Sequence, residues 1–335
     1  MNTPLLELRA VSKRFVKPLD FAARLGNVFG AVQREEVVHA VDGVSLAIAP
    51  GEVVGLVGES GCGKSTLGRM AVGLHTLSAG ERFLRGENVA ALQARLSRAE
   101  YRRQMLGIQM IFQDPYASLN PRLRVRDIVG EAPVAHGLIA RNEQDDYVAG
   151  LLSKVGLDAA FMRRYPHQFS GGQRARIGIA RALAVKPEFL VCDEAVAALD
   201  VSIQAQVLNL FIALRDELKL TYLFISHDLG VVRHLSDRVV IMYLGRVVES
   251  APADAVFAAP NHPYTQALLA EAPTLEVRKK TFVAIKGELP SPLAPPSGCH
   301  FHPRCPHAMQ RCKDEAPALR EIAAGWRSAC HLNAV

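Results

Sequence analysis

Nowhere does this chain hold the run of roughly 20 apolar residues that a membrane-crossing helix needs. Its apolar runs, such as Val53-Val54-Gly55-Leu56-Val57 and Phe189-Leu190-Val191-Cys192, are only strand-sized. Any role at a membrane is therefore expected to be peripheral. The start, Met1-Asn2-Thr3-Pro4-Leu5-Leu6-Glu7-Leu8, lacks a basic segment followed by an apolar core, so no export signal is expected and the reducing cytoplasm is the default. Also missing is any block of about five or six like charges. The net charge of +6 comes from Lys and Arg interspersed with Asp and Glu, which suits a phospholipid face or ATP as well as nucleic acid. There is no internal repeat and no long low-complexity tract.

What is present is enough for a sizeable core: 335 residues, 49% of them hydrophobic, can build one large or two unequal domains. Residues 5–57 read as strand-rich. Leu6-Glu7-Leu8-Arg9-Ala10-Val11 alternates apolar and polar, a Gly-containing stretch runs through Gly30, and Val37 to Val41 and Val44 to Ile48 follow. Pro50-Gly51 is a turn before the buried strand at 53–57. From Asp114 to about Gln168 the segments become helix-sized, including Glu143 to Val155. Short apolar strands then recur at 189–192 and 221–225, separated by the helical stretch Ile203 to Leu218, the rhythm of a doubly wound parallel sheet. After about Ala258 the chain turns rich in Pro, Cys and His, which predicts a domain boundary there.

Between the strand at 53–57 and a helical segment lies Gly58-Glu59-Ser60-Gly61-Cys62-Gly63-Lys64-Ser65, the G-x-x-x-x-G-K-[ST] pattern. Its glycines let backbone N–H groups approach phosphates, Lys64 reaches the β and γ oxygens, and Ser65, followed by Thr66, can ligate Mg²⁺. The strand at 189–192 ends in Asp193-Glu194, at the carboxyl edge of the sheet where ligands bind. Asp193 suits Mg²⁺, and Glu194 suits a base or orienter for the attacking water. The turn Ser170-Gly171-Gly172-Gln173 runs into a helix and offers backbone N–H groups to an anion presented by another subunit.

Four of the six cysteines, Cys299, Cys305, Cys312 and Cys330, fall in the last 37 residues with spacing C-x5-C-x6-C-x17-C. In a reducing compartment such a group favours a metal over disulfides, and four thiols suit either Zn²⁺ or a [4Fe–4S] cluster. His300, His302, His307 and His331 leave mixed Zn²⁺ ligation open. Cys62 and Cys192 sit inside the nucleotide motifs and read as packing residues.

In this order the motifs resemble those of the ATP-binding subunits of ABC transporters, and residues 5–258 carry them. The resemblance implies an α/β P-loop ABC ATPase domain over 1–258, a helical subdomain at about 114–168, and a small C-terminal Cys-rich domain over 259–335. It further implies that Gln113, in Ile111-Phe112-Gln113-Asp114, senses Mg²⁺ and the attacking water. His227, in Ile225-Ser226-His227-Asp228, would contact the γ-phosphate, and Asp200, in Ala198-Leu199-Asp200, would lie in the loop through which two subunits communicate. Phe15 is the candidate to stack on adenine. The chain departs from the family in having Ala197 before Ala-Leu-Asp where Ser is common, and Ala195 where Pro is frequent.

The tail narrows the resemblance. His262-Pro263-Tyr264-Thr265, Gly287-Glu288-Leu289-Pro290-Ser291-Pro292 and Cys299-His300-Phe301-His302-Pro303-Arg304-Cys305-Pro306 look like the C-terminal region of the oligopeptide/dipeptide group; the segment Arg122 to Arg126 after Asp114-Pro115-Tyr116-Ala117-Ser118-Leu119-Asn120-Pro121 and the loop before Ala40-Val41-Asp42-Gly43-Val44-Ser45 agree with that group, particularly with its second ATPase subunit. That group implies an ATPase powering import of dipeptides, oligopeptides or related solutes, of the second ATPase subunit type. It implies ATP and Mg²⁺, and favours [4Fe–4S] over Zn²⁺ at the four cysteines. The implied partners are two transmembrane permease subunits, a second homologous ATPase and, indirectly, an extracytoplasmic solute-binding protein, with no nucleic acid, at the cytoplasmic face of the membrane. The rival expectation is a soluble ABC ATPase handling nucleic acid or iron–sulfur clusters.

Overall fold

A computed structural model describes residues 3–19, 35–114, 117–271 and 287–333. The stretch through Gly30 and the Pro115-Tyr116 pair lie partly or wholly outside the described residues.

Strands β1 (Leu6–Lys17), β2 (Glu36–Ile48), β4 (Ala79–Leu84) and β5 (Glu87–Asn88) form an antiparallel sheet in the order β2-β1-β4-β5. Leu6 and Leu8 point into the core and Glu7 outward, as the alternation predicts. The two apolar runs expected before residue 50 join into the one strand β2, with Gly43 supplying a left-handed residue at φ 63° where the chain bends.

The second sheet has eight strands. At its centre β3 (Val53–Val57) lies between β8 (Thr221–Ile225) and β9 (Arg238–Tyr243), with β7 (Phe189–Asp193) and β6 (Ile108–Ile111) beyond β8, all parallel. Strands β3, β7 and β8 are buried along their whole length, which is why they read as continuous apolar runs rather than alternating ones. Helix α1 (Lys64–Val72) follows β3, α2 (Val89–Arg95) and α3 (Arg98–Met105) precede β6, and α4 (Val125–Ala135) and α5 (Gln144–Lys154) stand between β6 and β7. With α6 (Gly171–Leu183) they bury one apolar cluster that includes Val129, Leu152 and Ile177. Helices α7 (Val201–Leu218) and α8 (Leu229–Leu235) complete the crossovers. Because β3, β7 and β8 are parallel, their carboxyl ends open on one edge, where the Gly58 to Ser65 loop, Asp193-Glu194 and His227 emerge.

A separate small Cys-rich domain is not what the chain forms. β10 (Arg246–Pro252) pairs antiparallel with β9, and the C-terminal strands β11 (Arg320–Ala323) and β12 (Trp326–Ser328) add onto β10, extending the ATPase sheet in the order β11-β12-β10-β9-β3-β8-β7-β6. Helices α9 (Ala253–Ala258) and α10 (Pro263–Ala270) sit against the same edge, and α11 (Gln310–Asp314) lies among the cysteines. Val57, Ile241, Tyr243, Tyr264 and Phe301 share one apolar cluster, on which Cys299, Cys305 and Trp326 pack. The physical reason is a fully buried carboxylate. Glu249 accepts from the amides of Asn261 and His262 and from the indole of Trp326, the only Trp, at 3.0, 2.9 and 2.8 Å. Breaking these bonds would strand a charge in the core, so the tail folds as part of the sheet.

His262 beside it caps α10, its Nδ1 accepting from the Tyr264 amide, and burial depresses its pKa from 6.5 to about 4. Between those values the unfolded chain binds a proton that the folded chain refuses, so stability falls as pH drops from 6.5 towards 4. The full difference amounts to about 3 kcal/mol at roughly 1.4 kcal/mol per pH unit. In His262→Asn, which keeps a capping oxygen, the slope of denaturation free energy against pH in this window should be shallower by about one proton; an unchanged slope would show that His262 does not titrate as described.

Candidate nucleotide site

The loop from Gly58 to Gly63 turns sharply between β3 and α1. Gly58 adopts φ 156° and Gly63 φ 103°, and a Cβ on either would meet a backbone carbonyl, of Met242 at 2.2 Å and of Ala40 at 2.1 Å. Only glycine fits both places, so the loop lies close against its neighbours. Lys64, 5% exposed, donates to the carbonyls of Gly58 and Glu59 at 2.7 and 2.9 Å. Cys62 is buried beneath it, its thiol 3.9 Å from the ammonium, and belongs to the packing rather than to the cleft wall.

Ser65 donates from Oγ to Asp193 Oδ1 at 2.8 Å. Asp193 is 2% exposed; burial raises its pKa, against the opposing pull of the Ser65 hydrogen bond. The two oxygens, close together and one of them a buried carboxylate in want of a cation, fit the oxygen-donor chemistry of Mg²⁺. Glu194 follows with φ 48°, in the left-handed region that is uncommon for non-glycine residues. Its Oε2 accepts from Gln113 Nε2 at 2.7 Å, and His227 Nδ1 lies 3.5 Å from the same oxygen. Residues on the turns after β6, β7 and β8 thus converge on one carboxylate oxygen.

Of these groups Lys64, Ser65, Gln113, Glu194 and His227 line one cleft of about 470 Å³, together with Ser60, Gly61, Gly63 and Thr66. Val38, Ala40 and Pro292 complete its wall. Those three were not legible as site residues, because no local pattern links a β2 residue or a tail proline to a cleft formed by the fold.

Other expected residues stand elsewhere. Phe15 does not line the cleft; its ring meets His75 edge-on at 5.5 Å and lies under the Lys13 ammonium. Ser170 caps α6: its Oγ accepts from the Gln173 amide while Gln173 Oε1 accepts from the Ser170 amide, a reciprocal capping box. Gly171 and Gly172 form the first turn, where a Cβ on Gly172 would strike Ile203 at 2.4 Å. Asp200 precedes α7, and Val201 beside it is 84% exposed. None of these residues lines the cleft of its own chain. At the departures from the family pattern, the Ala197 amide donates to the Glu194 carbonyl at 3.0 Å, closing the turn without a hydroxyl.

The four C-terminal cysteines do share one neighbourhood: the thiols of Cys299, Cys305 and Cys330 each feel the charge of others in the set, and Cys299 donates its amide to the Cys312 carbonyl at 2.8 Å. Burial, reinforced by the neighbouring thiols, pushes Cys299 up to about 11, so it stands as a neutral thiol near pH 7. Among the described residues no group of three or more His, Cys, Asp or Glu side chains is placed to hold a metal ion. His300 and His331 are turned to the carbonyls of Leu244 and Glu315 instead. Ligation needs thiolates brought to bonding distance, so the expectation of a [4Fe–4S] or Zn²⁺ centre is not supported by this geometry.

A phosphate loop, a buried Ser–Asp oxygen pair and a carboxylate gathered by Gln and His define the site of a nucleotide-hydrolysing P-loop protein. Comparisons with known proteins give its family. The ABC transporter family model matches residues 41–197, and the model of the oligopeptide/dipeptide transporter C-terminal region matches residues 248–312. The oligopeptide transport ATP-binding protein AppF of Bacillus subtilis is 48% identical, over 98% of this chain and 97% of its own. The dipeptide transport ATP-binding protein DppF of Haemophilus influenzae is 44% identical over 98% and 97%. Among solved structures, cbiO1 from Clostridium perfringens, part of the transporter complex cbiONQ, superimposes with a TM-score of 0.61 at 25% identity, covering 77% of this chain and 92% of its own. The dimeric post-hydrolysis state of the cassette MJ0796 bound to ADP and Pi gives 0.60 at 25%, covering 74% and 98%. The chain belongs to the ABC transporter ATPases, in the group that carries the oligopeptide/dipeptide transporter C-terminal region.

Replacing Gly63 with Ala would drive a Cβ into the Ala40 carbonyl and force an unfavourable φ. Equilibrium ATP binding by Gly63→Ala should weaken at least about tenfold, a loss of roughly 1.4 kcal/mol, and binding equal to the unmodified protein would contradict the assignment of this loop.

Proposed function

We propose that this chain is the ATP-hydrolysing subunit of an importer of dipeptides, oligopeptides or related small solutes, working at the cytoplasmic face of the membrane. The observation that carries the catalytic part is the convergence of Gln113 and His227 on Glu194 Oε2, at the mouth of the Lys64 loop. The peptide part rests on relatives named for oligopeptide and dipeptide transport along nearly the whole chain.

ATP would lie with its phosphates over the loop that runs from Gly58 to Thr66. Lys64 would meet the β and γ oxygens in exchange for its loop carbonyls. Ser65 and Asp193 would hold Mg²⁺, which when bound neutralises charge between the phosphates. Glu194, aimed by Gln113 and His227, would accept a proton from the attacking water, and His227 would steady the γ-phosphate. The Ser170 to Gln173 turn, standing outside its own cleft, would close over the nucleotide of a partner ATPase, with Asp200 at the contact between the two. A dimeric solved relative of the same fold supports that arrangement. The partner would be a second, homologous subunit. Two permease subunits would receive the motion of the α4–α5 segment, and no helix among the described residues is long and apolar enough to replace them. A solute-binding protein outside the membrane would choose the cargo.

Substituting Glu194 by Gln keeps the hydrogen-bonding shape but removes the base. ATP affinity should stay within a few-fold, while turnover falls by about 10²- to 10⁴-fold. Gentle extraction of this form with ATP and Mg²⁺ should bring down two multi-spanning proteins and a second ATPase. Normal turnover would remove Glu194 from its role, and recovery only from the soluble fraction with nucleic acid would favour the rival.

A further inference from the structure

The tail touches the nucleotide cleft at two points with no role in the chemistry above. Pro292 lines the cleft, and its carbonyl accepts from the His39 amide at 3.1 Å. Arg304, on the short turn His302–Arg304, donates from Nη1 to Glu59 Oε2 at 2.8 Å, with its side chain only 7% exposed. Glu59 is the second residue of the phosphate loop. Its carbonyl takes one of the Lys64 hydrogen bonds at 2.9 Å, and its amide donates to the Tyr264 hydroxyl at 2.9 Å. Tyr264 is fully buried against Tyr243 and Phe301, with ring centroids 4.7 and 5.4 Å away. Arg304 Nη1 also reaches the Tyr243 hydroxyl, 3.4 Å away.

Glu59 is thus gripped twice, by its side chain and by its backbone, and both grips come from residues after 258. A loop with glycines at 58, 61 and 63 has much conformational freedom to lose when it orders around phosphates. Contacts that order it beforehand lower the cost of binding.

We propose that Arg304 and Tyr264 are positioning residues of the phosphate loop: acting through Glu59 and its bond to Lys64, they hold the loop ready for the triphosphate. Neither needs to touch the nucleotide. The inference rests on the proposal that this cleft binds ATP, and it makes the C-terminal region a working part of the nucleotide site. Because the tie lies between Cys299 and Cys305 in sequence and beside Tyr243 in space, a disturbance of that region has a short route to Lys64.

The test is steady-state ATPase kinetics and ATP binding on the full chain carrying Arg304→Met, Glu59→Ala, the two together, Arg304→Lys, and Tyr264→Phe. Each of the first two should raise KM and Kd for ATP by about tenfold with kcat changed less than about twofold, as for groups that shape binding and not the chemical step. The double variant should be no worse than either single one, since the two residues act as one unit. Arg304→Lys, which keeps the charge, should recover part of the affinity, and Tyr264→Phe should raise KM by itself while leaving the ring packing in place. An unchanged KM in Arg304→Met, effects that multiply in the double variant, or a fall in kcat alone would overturn the proposal. If Arg304→Met does not fold, Tyr264→Phe decides, and an unchanged KM there would overturn it. Failure of the underlying assignment looks different: the unmodified chain itself would not bind ATP.

Discussion

Lys64 is a buried ammonium whose hydrogen bonds go to carbonyls of its own loop, at Gly58 and Glu59. Burying a charge is costly unless it is well surrounded by acceptors, so the loop has to curl back on the lysine, and only glycine at 58 and 63 permits the curl against Met242 and Ala40. The central parallel strands serve this arrangement. β3 delivers the loop, β7 delivers Asp193 and Glu194, and the turns after β6 and β8 deliver Gln113 and His227. A cation held ready among oxygen dipoles exchanges weak partners for strong ones when phosphate arrives, which is how positioning and charge do the work in phosphoryl transfer.

The same constraint explains why the tail is folded into the sheet rather than appended to it. Glu249 collects three donors from residues 261, 262 and 326, and Arg304 and Tyr264 reach back to Glu59. Stability and site geometry are therefore built from one set of contacts. The edge of the sheet that would otherwise be open at β10 is covered by β12 and β11, which leaves the four-residue β11 as the edge, a short strand with little room for unwanted pairing.

Much of this was legible in the sequence because the nucleotide motifs are local. A glycine-lysine-serine loop after an apolar strand, and paired carboxylates at a strand end, carry their chemistry in adjacent residues. The helix expected from Glu143 to Val155 runs Gln144–Lys154, and the strand at 53–57 has those bounds. The pairing of the tail was not legible: composition shifts to Pro, Cys and His, while β12 pairs with β10 from Ser328 back to Glu249 and β11 follows on β12, a separation that no local pattern records. The cysteines were read from their spacing, which brings them to one neighbourhood but says nothing of side-chain placement. Phe15 was chosen as an aromatic near a strand end; its ring is exposed and meets His75 edge-on. Arg304 stood in plain view between two cysteines, and only the fold places it over Glu59.

The most direct measurement of the central claim is uptake of labelled di- and oligopeptides into sealed vesicles that carry the assembled transporter and hold ATP on the side of this subunit. The account predicts accumulation that requires ATP and Mg²⁺ and disappears when Lys64 is replaced by Ala. Peptide uptake that continues with Lys64→Ala in place, or ATP turnover by the assembled complex with no uptake of any peptide, would contradict it.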